Sequence, residues 1–150
     1  MPCSIRTWPP VPDRRHPRGL IDTSVVIEIG QISTDALPTE IAVSAITLAE
    51  LAAGPHATTD PAERARRQDR LQRAEATFDP VPFDASTARS YGRVYAAIVS
   101  AGRKARGRPA VVDLLIAATA VAAELPVYTQ NPSDFVGLES VLEVVAVDRA

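Results

Sequence analysis

Apolar positions along this chain fall in short blocks separated by capping and turn residues. Gly19–Ile21 is such a block and predicts a strand, after which Asp22, Thr23 and Ser24 offer capping side chains to a helix over Val25–Ile29. Ile41–Val43 predicts a second buried strand, and Ser44 caps a helix from Ala45 to Ala53 that Gly54 and Pro55 end. Asp60, Pro61 and Glu63 open a highly charged helix reaching about Phe78. Val81–Phe83 reads as a short strand. Asp84 caps a helix through Ala101, in which Ala88, Tyr91, Val94, Tyr95, Ile98 and Val99 recur at helical spacing, so both tyrosines are expected in the core.

Beyond Gly102, an irregular basic loop over Arg103–Pro109 precedes an apolar helix from Ala110 to Glu124. A strand over Pro126–Thr129, a turn at Asn131 and Pro132, and a last strand over Leu142–Val147 complete the pattern. Short apolar strands alternating with helices predict an α/β fold in three layers, a mainly parallel sheet covered on both faces. Pro2, Pro9, Pro10, Pro12 and Pro17 disfavour regular structure at the start, which predicts a flexible tail over 1–17 and one domain over 18–150.

Composition narrows the function classes. The 150 residues are 46% hydrophobic and 23% charged, a globular balance. The net charge of −2 does not announce a nucleic-acid binder, so any basic surface must be local. Cys3 is the only cysteine, which excludes an intramolecular disulfide and a multi-cysteine metal site and favours a cytoplasmic location. The N-terminal segment lacks the apolar stretch of a secretion signal. The apolar run Val111–Ala123 is broken by Asp113 and is shorter than the roughly 20 residues a membrane span requires.

Four acids stand out by context. Asp22 follows a strand, where it either caps the next helix or presents a carboxylate at the strand's carboxyl end. Glu50 lies in the otherwise uncharged segment AITLAELAAG, as a carboxylate at a helix edge or as a partnered functional group. Asp113 is the sole charge in AVVDLLIAATAVAA. A first-turn aspartate gains less than about 1 kcal/mol from the helix dipole, too little to offset burial, which favours a metal-facing role. Asp134, in TQNPSDF, would be an ordinary turn residue alone and gains meaning from the set. A parallel sheet can bring all four to one end, where they repel unless a cation neutralises them. Hard oxygen donors select magnesium, or manganese in its place, and that chemistry points to phosphodiester hydrolysis.

LIDTSVVIE, VSAITLAEL, DLLIAATA and TQNPSDF, in that order, resemble the motifs of PIN-domain nucleases, especially the VapC toxins of bacterial toxin–antitoxin pairs. The resemblance runs from about Gly19 onward. It implies a PIN-like fold and a magnesium-dependent endoribonuclease in which Asp22 and Asp113 ligate the metal directly. Glu50 and Asp134 would complete the acidic centre, with Thr23 and Asn131 supporting it by hydrogen bonds. It further implies a homodimer and a small protein antitoxin covering the acidic groove. The alternatives are a PIN-like binding module without cleavage and a nuclease directed at DNA.

The basic residues divide into two groups. Arg64, Arg66, Arg67, Arg70 and Arg73 are interleaved with Glu63, Asp69 and Glu75, which predicts a solvated, salt-bridged helix. Arg103, Lys104, Arg106 and Arg108 stand without acids just before the Asp113 helix and form the expected RNA-phosphate surface. His16 and His56 make no triad or metal motif, and no phosphate-binding glycine loop occurs.

Overall fold

The computed structural model describes residues 16–102 and 110–148. Four strands, β1 (Arg18–Ile21), β2 (Glu40–Val43), β3 (Val127–Thr129) and β4 (Val144–Ala146), form one sheet in the order β2-β1-β3-β4. Every pairing is parallel. The helices are α1 (Thr23–Ile27), α2 (Ala45–Ala53), α3 (Pro61–Thr77), α4 (Ala85–Ser100) and α5 (Val111–Ala123).

Alternation along the strands builds the three layers. Leu20 and Val127 turn to one side and pack with Val94, Ile98, Leu114 and Ala117 of α4 and α5. Ile21 and Tyr128 turn to the other, against Val25 and Val26 of α1, Leu51 of α2 and Ala74 of α3. The sheet is thus buried on both faces, as its near-continuous apolar strands require. Gly19 is fixed by this packing, since a Cβ there would lie 2.6 Å from the Tyr128 ring.

The differences from the predicted elements have local causes. Helix α1 starts at Thr23, because Asp22 is its N-cap, and it gives way to a 3₁₀ turn over Ile29–Gln31. Val81 does not lie in a strand but makes a single parallel bridge to Ser44. Pro80 and Pro82 flank it, and neither can donate to a longer ladder. Tyr91 packs against the core as expected, but Tyr95 is half exposed, because it sits at the margin of the buried α4 stripe. His16 and Pro17 already touch the domain: the His16 N–H donates to Tyr128 Oη at 3.0 Å, His16 Nε2 lies 2.8 Å from Glu143, and the Pro17 carbonyl accepts from Glu40 N–H. Among the described residues, no helix is long and apolar enough to cross a membrane.

Helix α5 ends on Glu124 in the left-handed region, φ 58°, where its N–H caps the Ala120 and Val121 carbonyls. Glycine normally takes this position because a Cβ is disfavoured there. Glu124→Gly should therefore raise stability by about 0.5–1 kcal/mol, which corresponds to a midpoint about 1–4 °C higher in thermal unfolding.

Candidate acidic active site

The strand order supplies the site. From β1 the chain passes to β2 on one side and later returns to β3 on the other, so the β1–β3 boundary is a topological switch point, where open parallel sheets leave a crevice at the strand carboxyl ends. Asp22 directly follows β1, and Asp134 follows β3 within the 3₁₀ turn Pro132–Phe135. Asp113 lies in the first turn of α5, which runs directly into β3, so its N-terminus returns to the same end. Glu50 lies on α2, the helix after β2.

Asp22 is only 4% exposed and is held tightly. Its Oδ1 accepts from Ser24 Oγ at 2.6 Å and from Val25 N at 3.2 Å, and Ser24 Oγ in turn accepts from Gln130 N at 3.2 Å. Burial pushes its pKa up, while hydrogen bonds from Ser24, Thr129 and the Val25 amide oppose the rise. Asp22 thus caps α1 from the carboxyl end of β1.

Glu50 sits at the end of a hydroxyl chain. Its Oε1 accepts a short hydrogen bond from Thr23 Oγ1, which also lies 3.0 Å from Thr47 Oγ1. A hydroxyl has one proton and an ionised carboxylate only accepts, so Thr23 donates to Glu50 and Thr47 donates to Thr23. Thr47 is fully buried, and its N–H donates to Ser44 Oγ at 3.0 Å. Asn131 contributes through its backbone, donating its N–H to Thr129 Oγ1 at 2.9 Å.

Asp113 reports how the acids meet. Its pKa is pushed from the ordinary 3.8 up to about 6, first by burial and then by the negative charges of Asp134, Glu50 and Asp22, in that order. All four predicted acids therefore share one electrostatic centre, and no cation among the described residues relieves it at Asp113. No three of the described carboxylates, histidines or cysteines converge on a single point. This all-oxygen set fits an ion that takes one or two carboxylates directly and completes its shell with water and phosphate oxygens, which is how magnesium is usually held.

A cavity of about 370 Å³ adjoins the centre and includes Thr23, Glu50, Arg67 and Arg70 in its walls. Arg103, Lys104, Arg106 and Arg108 lie outside the described residues. Sequence reasoning read Ser24 only as a capping side chain and missed Thr47 and Thr129, the other hydroxyls around Asp22 and Glu50. Their one visible signal is proximity to the acids in sequence, or to a strand end.

The PIN domain family profile matches residues 20–135. The chain belongs to the PIN-domain family. Within it, the chain is 36% identical over 129 residues to Ribonuclease VapC5 of Mycobacterium tuberculosis, covering 84% of this chain and 91% of that protein. It is 34% identical over 132 residues to Ribonuclease VapC of Rickettsia bellii, covering 85% and 95%. These are VapC relatives, in line with the motif resemblance. Among solved structures, VapBC-5 of M. tuberculosis, from the VapBC family of toxin-antitoxin systems, aligns with TM-score 0.75 and 34% identity over 87% of this chain and 99% of that one. VapBC2 of Rickettsia felis, bound to a promoter DNA fragment, aligns with TM-score 0.67 at 21% identity and shares the PIN fold.

The raised Asp113 pKa fixes a sign. Between about pH 4 and pH 6 the native state holds a proton that the unfolded chain has released, so this contribution to stability is fully present below the unfolded pKa and is lost as pH rises through about 6. The loss should be on the order of 1–2 kcal/mol for a half-buried, partly screened group. Asp113→Asn should remove that slope, leaving a metal-free protein at pH 7 as stable as wild type or more so. Magnesium should stabilise wild type by roughly 2.7 kcal/mol at one hundred times its dissociation constant, and the variant by less. Thermal unfolding in chelator and across a magnesium titration checks both; a destabilised variant with an unchanged magnesium response would make Asp113 a structural anion.

Proposed function

We propose that this chain is a divalent-metal-dependent endoribonuclease, the toxin of a toxin–antitoxin pair, acting in the cytoplasm. The observation that carries the reading is the raised pKa of Asp113 at the switch point, pushed up by burial and by the charges of Asp134, Glu50 and Asp22, with no cation among the described residues lowering it. Relatives named ribonuclease at 34–36% identity support RNA as the substrate over DNA. Asp22 and Asp113 would hold magnesium, or manganese in its place, with Glu50 and Asp134 orienting water around it. When bound, the ion activates water, polarises the phosphodiester and stabilises the departing oxygen.

The chain's own residues prepare this chemistry. Ser24 and the Val25 amide fix the Asp22 carboxylate in one orientation, and Thr23 fixes Glu50, leaving its second oxygen available to water. The basic residues Arg103, Lys104, Arg106 and Arg108 precede Asp113 closely enough in sequence to contact RNA phosphates.

Two partners complete the proposal. The aligned 34%-identical structure, a member of the VapBC family of toxin-antitoxin systems, supports a small protein antitoxin, whose arginine could pair with Asp22 or Asp113 in place of the ion. A homodimer is supported by Tyr95 and Val99, exposed by 50% and 59% one turn apart on α4, and by Val111 at the start of α5, exposed by 53%.

Purified protein should cleave RNA with magnesium or manganese, and chelator should abolish the cleavage. Asp22→Asn and Asp113→Asn should each lower the rate by at least about 100-fold, the scale expected when electrostatic stabilisation of the reacting phosphate is lost. Mapping of new RNA ends reads the result, and metal-independent cleavage persisting in both variants would overturn the mechanism. Co-expression with the product of an adjacent small open reading frame should relieve toxicity and yield a stable complex on size-exclusion chromatography. A neighbour that neither copurifies nor suppresses cleavage would refute that pairing.

A further inference from the structure

Helix α3 carries five arginines, and the structure separates them. Arg64 donates to the Pro55 and Thr58 carbonyls at 3.0 and 2.8 Å. Arg66 and Arg67 both reach Glu63, at 2.7 and 2.8 Å, and Arg67 also donates to the Gly54 carbonyl at 2.9 Å. Arg73 pairs with Asp69. The expected salt-bridged helix is present, with one exception: Arg70, although half buried, has no hydrogen-bond or ion-pair partner among the described residues.

Its position gives that exception meaning. Arg70 lines the cavity that holds Thr23 and Glu50, and also a second cavity of about 450 Å³ that continues between α1 and α3 past Ile27. Arg67 shares the first cavity, but its Nε and Nη1 are committed to Glu63 and Gly54. Arg70 therefore presents the available guanidinium beside the acidic centre. A half-buried cation loses hydration that an anion in the cavity would replace, and its planar fork matches a phosphate.

We propose that Arg70 is a substrate-positioning residue that binds a backbone phosphate of RNA flanking the scissile one. The assignment rests on the ribonuclease reading above. A polymer lying across the centre carries one negative charge per nucleotide, and the charges beyond the scissile phosphate meet four carboxylates. Arg70 supplies attraction where the strand leaves that centre along the α1–α3 groove. It acts on binding and placement, apart from bond cleavage.

The test compares Arg70→Gln with Arg73→Gln, the same charge change on the same helix and in the same α1–α3 cavity, at a side chain already engaged by Asp69. RNA binding is measured by fluorescence anisotropy in an Asp113→Asn background, with a single-stranded RNA that the wild-type chain cleaves. Loss of a charge-assisted contact should weaken binding in Arg70→Gln about 10-fold or more. The slope of log affinity against log salt should fall by about 0.7, the value for one phosphate contact on a single strand. Arg73→Gln should change affinity less than about 3-fold, as expected for an exposed, already paired charge. Arg70→Lys should keep the slope and recover part of the affinity. In the cleavage-competent protein, Arg70→Gln should raise KM and leave kcat near wild type.

Unchanged RNA affinity and salt slope in Arg70→Gln, or equal losses in both glutamine variants, would overturn the assignment. Wild-type RNA affinity combined with a weakened antitoxin complex would also overturn it, by giving Arg70 to a carboxylate of the protein partner. If wild type cleaves RNA and Arg70→Gln is unaffected, only this inference fails; if wild type neither binds nor cleaves RNA, the ribonuclease reading fails and takes this inference with it.

Discussion

At the carboxyl ends of the central strands, Asp113 meets the negative charges of Asp134, Glu50 and Asp22, and the carboxylates around it are held in different ways. Asp22, the most buried, receives hydrogen bonds from Ser24 and the Val25 amide, which favour its charged form against burial. Glu50 receives the Thr23 hydroxyl, itself held by buried Thr47. Asp113, partly buried, has only the start of α5 to help it, and its pKa is pushed up to about 6. The charge is thus unevenly compensated. The least compensated carboxylate is the one whose ionisation a divalent cation would assist most, so metal affinity and pH are linked through it.

The same constraint explains why the neighbouring cations are arranged as they are. Arginines folded over the acids would neutralise the centre and displace an ion; of the five on α3, only Arg70, in the adjoining cavity, lacks a restraint among the described residues. On α3, Glu63 and Asp69 restrain three of the five arginines, and the carbonyls of Pro55 and Thr58 restrain Arg64. Helix stability and the negative potential of the crevice are served by the same ion pairs, although each exposed pair contributes little by itself.

Much of this was legible in the chain itself. A lone charge in an apolar helix marks Asp113, and its place after a strand marks Asp22; a parallel sheet brings such positions to one end. The sheet-covering helices were legible because caps such as Ser44, Asp60 and Asp84 preceded them, and each does accept from a backbone N–H of the first turn. Other features depended on three-dimensional partners. Thr47 and Thr129 look like ordinary helix and strand residues until the carboxylates arrive beside them. Tyr95 shares its spacing with core residues, yet sits half exposed at the edge of the stripe. Arg70 has the same composition around it as Arg66 and Arg73, and differs only in what its side chain reaches.

The central pairing of the sheet, Leu20 with Val127 and Ile21 with Tyr128, joins segments with most of the chain between them. Such a contact closes a long loop, so it forms late and slowly compared with local helices. Asp22 and Asp134 flank that pairing, and the acidic centre therefore comes into being only as the whole sheet closes. A nascent or partly unfolded chain holds the acids far apart, so whatever chemistry they perform should switch on with global folding and disappear with it. A protease that catches the chain before β3 docks would meet an inert polypeptide.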